Sequence, residues 1–427
     1  MYDDYLASLG PGTTGQPGLG LRPHAVVQGT AGFVHAGNKT REHWKAMNAS
    51  LMSVPGASEN PASYSALASH MFQWAARYGS NPHVDQSLLR LAPNQKPVVG
   101  AGLQPWLEVL NEPDGWWAGR EAYYSPLEYA AALSAAYDGH EGTMGPGIGI
   151  KAADPSLKVS QGGQADLPGN TTELQAMEAM ALWAQSNRKD GKFPADALNL
   201  HHYSTNTTTG WDGQGITPEQ DGLLDLAQSF GTWRDARAPH AELWWTEYGY
   251  DTNGGPQSAP GIGSLTPQEV QGGWLVRTAL LMGASGAVQR AHMYMLADVS
   301  SQGHGKYSTS GLLTDRASQC QRKAGWYYVS AFHWWVGGLA VTGIQEGGHR
   351  TMSVGGVPTM ISLQRVGTLG QDLVGDRDGL DVPNVRGGVA VWLPSSTGAS
   401  LPGQAVQLPP ESPAPGASVL VVRMANL

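Results

Sequence analysis

Short apolar runs alternate with longer segments whose apolar residues recur every three or four positions, over most of the first 335 residues. Runs of the first kind predict buried strands, and segments of the second kind predict helices. The predicted strands are 25–28, 106–110, 157–160, 197–203, 241–247 and 288–296. The predicted helices are 2–9, 61–78, 126–137, 173–186, 218–230, 267–283 and 323–335. Because strands and helices alternate, the sequence predicts an α/β fold with a parallel sheet.

The ends of several predicted strands carry polar or acidic residues, which favours a barrel over an open sheet covered on both faces. The pattern yields six strands, and only one of them precedes 106–110. We therefore expect a (β/α)8 TIM-type barrel that lacks its first two strands in this chain. Six strands would leave two edges unpaired, so either the chain is truncated or the missing units are replaced in a way that the sequence hides.

After about residue 341 the pattern changes to short alternating runs separated by glycine and proline. Such runs predict a small antiparallel β-domain. We expect two domains, the barrel at 1–340 and the C-terminal β-domain at 341–427.

Composition and charge narrow the class of partner. Charged residues make up 14% of the chain and apolar residues 41%, which indicates an ordered fold. The formal net charge of −9 argues against nucleic acid or an anionic membrane as a partner. No apolar run is long enough to span a bilayer. Oligomeric state and compartment stay open, and secretion or export to the periplasm is expected only if a further segment precedes Met1.

Two glutamates follow predicted strands in settings that suggest chemistry. Glu112 comes directly after 106–110, between an asparagine and a proline, and Glu247 ends 241–247. Paired carboxyl groups at one end of a barrel are what retaining glycoside hydrolysis needs, one as acid and base and the other as nucleophile. We expect Glu112 to be the proton donor and Glu247 the nucleophile. The alternatives are a turn residue for Glu112 and a buried acid paired with arginine for Glu247.

Aromatic residues next to Glu112 have two possible roles. Trp116 and Trp117 follow it closely, and an indole ring can either pack in a core or stack on the face of a sugar. We expect one of the two to do each. An apolar neighbour would also raise the pKa of an acid that must hold a proton.

Three short motifs together resemble clan A of the retaining glycoside hydrolases. They are Asn111-Glu112-Pro113, Thr246-Glu247-Tyr248-Gly249 and His201-x-Tyr203. The order and spacing look similar to the β-xylosidase and endo-glycosidase branch of the clan. The resemblance implies that Asn111 binds the sugar 2-hydroxyl, that Tyr203 keeps the nucleophile ionised and that His201 lines the site. It also implies a carbohydrate substrate and no cofactor.

Two positions depart from the clan pattern. An arginine near the end of strand two has no counterpart, because that strand is not found. Strand eight ends around Tyr294 instead of in a tryptophan. We expect Tyr294 to stack against the substrate in its place, and the alternative is a polar contact from Asp298. Two functions therefore remain: a retaining β-glycosidase acting on oligo- or polysaccharide, or a non-catalytic carbohydrate-binding relative or fragment of one.

Two acidic clusters could be interpreted as metal sites. Asp138-x-His140-Glu141 lacks a second cluster at ligand spacing, and the run from Asp376 to Asp381 lacks the glycine and terminal glutamate of a calcium loop. We interpret the first as a solvated loop, do not expect calcium at the second and predict no metal. Cys320, the single cysteine, is expected to be an inert thiol.

Overall fold

The structure of the protein is a computed structural model. It describes residues 2–13, 15–27, 57–115, 117, 123–165, 173–206, 213–218, 220–262, 266–336, 339–346, 359–365, 388–391, 404–407 and 419–423. Residues 28–56, Trp116 and the acidic run 376–381 lie outside the described residues.

Helices and strands alternate along the described part of the chain. The helices are α1 Tyr2–Leu9, α2 Ser65–Tyr78, α3 Pro126–Asp138, α4 Ile150–Ala153, α5 Glu173–Asn187, α6 Leu223–Arg237, α7 Pro267–Ala284 and α8 Ala324–Val336. The strands are β1 Gly12–Thr13, β2 Gln16–Pro17, β3 His24–Val27, β4 Trp106–Val109, β5 Lys158–Gln161, β6 Ala197–His201, β7 Glu242–Glu247, β8 Arg290–Ala291, β9 Leu339–Glu346, β10 Thr359–Arg365, β11 Gly388–Val391, β12 Gln404–Gln407 and β13 Val419–Arg423.

Two compact units divide the chain. Unit 1 consists of Met1–His201 and Trp233–Trp244, and unit 2 consists of His202–Thr232 and Trp245–Leu427. The division does not follow the predicted boundary at 340/341, which stays a prediction.

Unit 1 is organised around parallel strands. β3 pairs with β4, β4 with β5 and β5 with β6, all in parallel. Every residue of β4 and β6 is buried, as expected for parallel strands covered on both faces. Trp106, Ala197 and Trp244 form a buried cluster, in which the two indole centroids lie 4.2 Å apart.

Six strands make up the parallel sheet, in the order β3-β4-β5-β6-β7-β8. The alternation of strands and helices is therefore confirmed. The sheet is not closed, because β3 and β8 stand at its edges in the described part of the chain. A complete (β/α)8 barrel is not formed by these residues, as the count of six predicted strands had indicated.

Local sequence signals explain where two long helices begin. Ser125 and Glu128 form a capping box at the start of α3, and Thr266 and Glu269 form one at the start of α7. Each box satisfies backbone N–H groups that lack a partner within the helix. Proline follows each capping residue, where its missing N–H costs nothing.

The helix predicted at 218–230 is wrong in its bounds, since α6 runs from Leu223 to Arg237. Gly222 has φ +75°, a left-handed conformation that cannot continue a right-handed helix. The preceding Asp221 instead accepts hydrogen bonds from Ser204 Oγ (2.8 Å) and contacts His202 Nε2 (2.6 Å). The segment before Leu223 therefore provides side-chain contacts instead of a first helical turn.

The strand predicted at 288–296 is also too long, because β8 contains only Arg290 and Ala291. Past β8, the amides of His292 and Tyr294 donate to the carbonyls of Trp245 and Tyr248. Between these two hydrogen bonds the chain advances by two residues from His292 to Tyr294 but by three residues from Trp245 to Tyr248. This mismatch breaks the regular hydrogen-bond ladder.

The C-terminal strands form a separate five-stranded sheet in the order β12-β11-β13-β10-β9. Three of its pairings are antiparallel, as predicted, but β11 and β13 are parallel. The predicted small antiparallel sheet is confirmed, with the β11–β13 pair as a parallel exception. The parallel pair follows from the strand order, because β13 lies between β10 and β11 instead of beside β12.

Among the described residues, none of the helices combines the length and hydrophobicity that crossing a bilayer requires.

Candidate active site

Glu112 lies in a turn that starts where β4 ends. Leu110 and Glu112 both have positive φ, +67° and +42°, which is uncommon for residues with a side chain. The turn is held from both sides, because Leu110 N donates to Val27 O (3.1 Å) and Glu112 N donates to Gly163 O (3.0 Å). Backbone conformations of this kind cost about 1–3 kcal/mol each and persist only where the surroundings impose them.

The Glu112 carboxyl group contacts the ring of His201. Glu112 Oε1 lies 3.0 Å from His201 Nδ1, and the His201 side chain is almost completely buried whereas that of Glu112 is 22% exposed. The opposite edge of the ring packs on Gly163, where a Cβ atom would lie only 2.0 Å from His201 Nε2. Only glycine fits at this position without displacing the imidazole.

A second, fully buried glutamate supports this arrangement from within β4. Glu108 Oε1 accepts the Gly163 N–H at 3.0 Å, and Glu108 Oε2 lies 3.4 Å from His24 Nε2. Gly163 thus donates to one glutamate through its N–H group and accepts from the other through its carbonyl. The backbone of Glu112 is therefore fixed to the buried carboxylate of Glu108 through a single glycine.

Asp114 is the third acid of this group, and it is buried. Its Oδ1 atom accepts the Ala165 N–H at 3.1 Å, while Oδ2 has no hydrogen-bond partner among the described residues. Burial is the main cause that raises the pKa of Asp114 to about 8, and the nearby carboxylate of Glu112 contributes to this rise. Asp114 is thus a neutral carboxylic acid at neutral pH.

The carboxylate of Glu247 has a different kind of partner in unit 2. Tyr203 Oη donates a hydrogen bond to Glu247 Oε2 at 2.7 Å, and the Tyr203 side chain is buried. The main chain adds a link between the same segments, since His202 N donates to Glu247 O at 3.1 Å. A hydroxyl that donates to a carboxylate favours its ionised form.

Aromatic rings and one cation surround Tyr203. The Tyr307 ring packs edge to face against Tyr203, with centroids 5.3 Å apart, and against Tyr294, with centroids 5.8 Å apart. The ammonium nitrogen of Lys306 lies 5.9 Å from the Tyr203 centroid and 5.1 Å from the Tyr307 centroid. We call Lys306 together with Tyr203, Tyr294 and Tyr307 the lysine–tyrosine wall.

The segment that carries Lys306 and Tyr307 is fixed by two buried acids. Asp251 accepts the N–H groups of Tyr307 and Thr309, each at 2.7 Å. Asp298 accepts from the ammonium of Lys323 at 2.9 Å, and both of these side chains are buried. Burial lowers the pKa of Lys323, although the neighbouring Asp298 counteracts this.

The predicted site residues are distributed over the two units. Glu112 and His201 contact each other in unit 1, and Tyr203 and Glu247 contact each other in unit 2. The roles of all the predicted residues stay predictions.

Three further predicted residues stand next to these pairs or in the wall. Asn111 is half-buried and makes no side-chain hydrogen bond to another described residue, so its amide is available. Trp117 and Tyr294 are half-buried.

Several residues of the site were not predicted. Glu108 carried one signal, because an acid inside a strand that is otherwise apolar must have a buried partner. The only signal at Gly163 in the sequence is that it belongs to a pair of glycines that follows the predicted strand 157–160. Lys306 and Tyr307 carried no signal, since their position depends on the conformation of a loop.

Comparisons with known proteins give similar folds but no sequence relative. No protein-family profile and no curated protein matches the chain. A glucosidase from Croceicoccus marinus is similar in structure, with a TM-score of 0.41, 14% identity and coverage of 82% of this chain and 60% of the glucosidase.

Two other solved structures are comparable. A family 39 glycoside hydrolase from Bacteroides cellulosilyticus WH2 has a TM-score of 0.37 and 13% identity, over 75% of this chain and 57% of its own. AbfB, a family 51 α-L-arabinofuranosidase from Bifidobacterium longum, has a TM-score of 0.42 and 15% identity, over 70% of this chain and 56% of its own.

All three of these proteins are named as glycosidases, and this chain spans no more than 60% of the length of each. With TM-scores below 0.5, the similarities do not by themselves assign a family or an activity to the chain.

Proposed function

We propose that the protein is a retaining glycoside hydrolase that cleaves β-glycosidic bonds in an oligo- or polysaccharide, with Glu112 as acid and base and Glu247 as nucleophile. The observation that carries the proposal is that each strand-end glutamate has its own ring partner. Glu112 Oε1 lies 3.0 Å from His201 Nδ1, and Tyr203 Oη donates to Glu247 Oε2 at 2.7 Å. A surface glutamate in a turn has no need of such partners.

In the first step, a carboxylate oxygen of Glu247 attacks the anomeric carbon while Glu112 gives its proton to the leaving oxygen. In the second step, Glu112 takes a proton from water, the water oxygen attacks the anomeric carbon, and the bond to Glu247 breaks. Such a double displacement requires the two carboxyl groups about 5–5.5 Å apart. The two steps need no cofactor, because the two carboxyl groups carry both the covalent bond and the proton.

The donor at Tyr203 suits the role proposed for Glu247. A nucleophile must be ionised before it attacks, and the Tyr203 hydroxyl stabilises the charged form while fixing the carboxylate plane. The surroundings of Glu112 suit a group that exchanges a proton, because its neighbour Asp114 is neutral at pH 7 and its other neighbour is an imidazole. The free amide of Asn111 is available for a sugar hydroxyl.

Hydrolysis of aryl β-glycosides by wild type, Glu112→Gln and Glu247→Gln tests the proposal. We expect kcat to fall by about 10²- to 10⁴-fold for Glu112→Gln, the usual contribution of general acid catalysis. For Glu247→Gln we expect a loss of roughly 10⁴-fold or more, because no covalent intermediate can form. Glu59→Gln is the matched control, since Glu59 is exposed, and it should retain wild-type turnover.

Reaction of the alanine variants with azide distinguishes the acid/base role of Glu112 from the nucleophile role of Glu247. With Glu112→Ala, azide should attack the glycosyl-enzyme and give the β-glycosyl azide. With Glu247→Ala, azide should displace the aglycone directly and give the α-glycosyl azide. Equal turnover by all variants, or a first product of inverted configuration in proton NMR, would contradict the proposal. Tight glycan binding by calorimetry without any turnover would favour a non-catalytic carbohydrate-binding protein.

A further inference from the structure

A pocket of about 260 Å³ lies in unit 1, between α1 and the second half of α2. Its walls combine three aromatic rings, an imidazole, two amides and one ion pair. The side chains of Tyr2 and Gln95, which belong to these walls, are exposed, so the pocket is accessible from solvent. Pockets for drug-sized ligands measure roughly 300–1,000 Å³, so this one has the size for a smaller ligand such as one monosaccharide unit.

The pocket and Glu112 lie at opposite ends of β4. Trp74 Nε1 donates to Gln104 Oε1 at 3.1 Å, and Gln104 N donates to Tyr78 O at 3.0 Å. Gln104 precedes β4, whereas Glu112 follows it. The strand therefore separates the pocket from Glu112, and a ligand bound in the pocket is not in contact with that carboxyl group.

Three tilted aromatic rings form one side of the pocket. The centroid of the Trp74 indole lies 5.6 Å from that of Tyr2 and 4.7 Å from that of Tyr78, with interplanar angles of 55° and 51°. Such rings offer flat apolar faces, and each indole or phenol also carries a polar group at its edge. Because the Tyr2 side chain is 53% exposed, part of this aromatic surface is open to solvent.

The polar side chains of the pocket have almost no net charge. Arg77 Nε donates to Asp3 Oδ1 at 2.9 Å, and a second hydrogen bond joins Arg77 Nη2 to Asp3 Oδ2. This bidentate pair neutralises the two charged residues of the walls. His70 makes no hydrogen bond or ion pair with another described residue, and burial lowers its pKa, so its ring is neutral. The pocket therefore suits a neutral ligand better than an ion.

We propose that this pocket binds a neutral sugar unit of a glycan, as a second carbohydrate site away from Glu112. A pyranose ring has an apolar face of C–H groups that can pack on Trp74 and Tyr2, and its edge carries hydroxyl groups. A neutral imidazole, here that of His70, offers a hydroxyl one donor and one acceptor. The side-chain oxygen of Gln95 accepts a backbone N–H, which leaves its NH₂ group as a further donor. The inference concerns binding alone and is independent of the proposed function.

Affinity electrophoresis in gels that contain a soluble neutral polysaccharide tests the inference. The polysaccharides are arabinoxylan, mixed-linkage β-glucan and galactomannan, and every protein carries Glu247→Gln so that hydrolysis by the proposed mechanism is suppressed. We expect at least one polysaccharide to retard the Glu247→Gln parent. Adding Trp74→Ala should raise the dissociation constant by about 10-fold or more, and adding Tyr2→Ala by about threefold or more, because each removes an aromatic contact.

Tyr5→Ala is the matched control, since Tyr5 also belongs to α1 and is 59% exposed but does not line the pocket. It should be retarded like the parent. Circular dichroism verifies that Trp74→Ala is folded, and the exposed Tyr2 provides the test if it is not.

Three results would each show that the inference is wrong. The first is that none of the three polysaccharides retards the parent, and the second is that Tyr2→Ala and Tyr5→Ala are retarded equally. The third is that only polygalacturonate, an anionic glycan, is bound in a way that depends on Tyr2. None of these results bears on the proposed function, whose failure is measured separately as absence of aryl glycoside hydrolysis.

Discussion

The carboxyl group of Glu112 lies against an imidazole, whereas the carboxylate of Glu247 receives a phenolic hydrogen bond. Around Glu112 the neighbouring titratable groups are Glu108, Asp114 and His201, and the nearest backbone has positive φ. The neighbours of Glu247 include Tyr203, whose ring contacts Tyr307 and the ammonium of Lys306.

This difference shows how the surroundings can suit one glutamate to proton transfer and another to nucleophilic attack. An acid that must hold and release a proton benefits from neighbours that exchange protons themselves and from restricted contact with water. A nucleophile benefits from a donor that cannot become negative at neutral pH and from a cation nearby. The surroundings, not the glutamates, therefore separate the two proposed roles.

The larger of two expected effects on turnover comes from a substitution beside Glu112, Gly163→Ala. In Gly163→Ala the new Cβ would lie 2.0 Å from His201 Nε2, so the imidazole must move away from Glu112. We expect kcat to fall by about 10²- to 10⁴-fold, as for loss of the general acid. Turnover of an aryl glycoside by the purified variant, with circular dichroism to verify folding, measures this.

The double variant tests the stated cause. In a His201→Ala background there is no ring to displace, so adding Gly163→Ala should change kcat little. An equally large loss in that background would mean that the alanine acts through the main chain, and the interpretation of Gly163 would be wrong.

A smaller loss of kcat is expected when the hydrogen bond to Glu247 is removed. Tyr203→Phe removes the hydroxyl that donates to Glu247 Oε2 at 2.7 Å but keeps the ring. A hydrogen bond to a charged group contributes about 1.5–3 kcal/mol, so kcat should fall by roughly 10- to 150-fold. Tyr5→Phe is a matched control, because Tyr5 is 59% exposed, and it should leave kcat unchanged.

The last effect concerns stability instead of turnover and applies only to Asp114. The folded protein keeps this proton up to about pH 8, whereas the unfolded chain releases it near pH 4. Between these values Asp114 therefore lowers the free energy of unfolding by about 1.4 kcal/mol per pH unit. Asp114→Asn should remove this decline. The free energy of unfolding of the variant should therefore rise relative to that of wild type as the pH increases.

Urea unfolding of both proteins at pH 5, 6 and 7 measures the difference. A constant difference between the two proteins over this range would mean that Asp114 is ionised in the folded state, and its assignment as a neutral acid would be wrong.

The sequence predicted the main elements because their signals are local. Apolar periodicity gave β4 and β7, and the capping residues Thr266 and Glu269 gave the start of α7. The same signals placed Glu112 shortly after β4 and Glu247 at the end of β7, where the structure has them.

The elements that differ were decided by contacts that local patterns do not contain. The segment before α6 forms no helix because Asp221 contacts His202, 19 residues away. Tyr307 is held by Asp251, which is 56 residues away in the chain. Hydrogen bonds between such distant residues depend on the complete fold, so no periodicity or spacing indicates the lysine–tyrosine wall.

The position of β13 in the C-terminal sheet has a consequence for biosynthesis. β13 lies between β10 and β11, although it is the last of the five strands to leave the ribosome. Until then the chain holds only the hairpin pairs β9–β10 and β11–β12, and isolated two-stranded hairpins are marginally stable in water. Assembly of this sheet must therefore wait for Val419–Arg423 to emerge, which makes it a late step in folding.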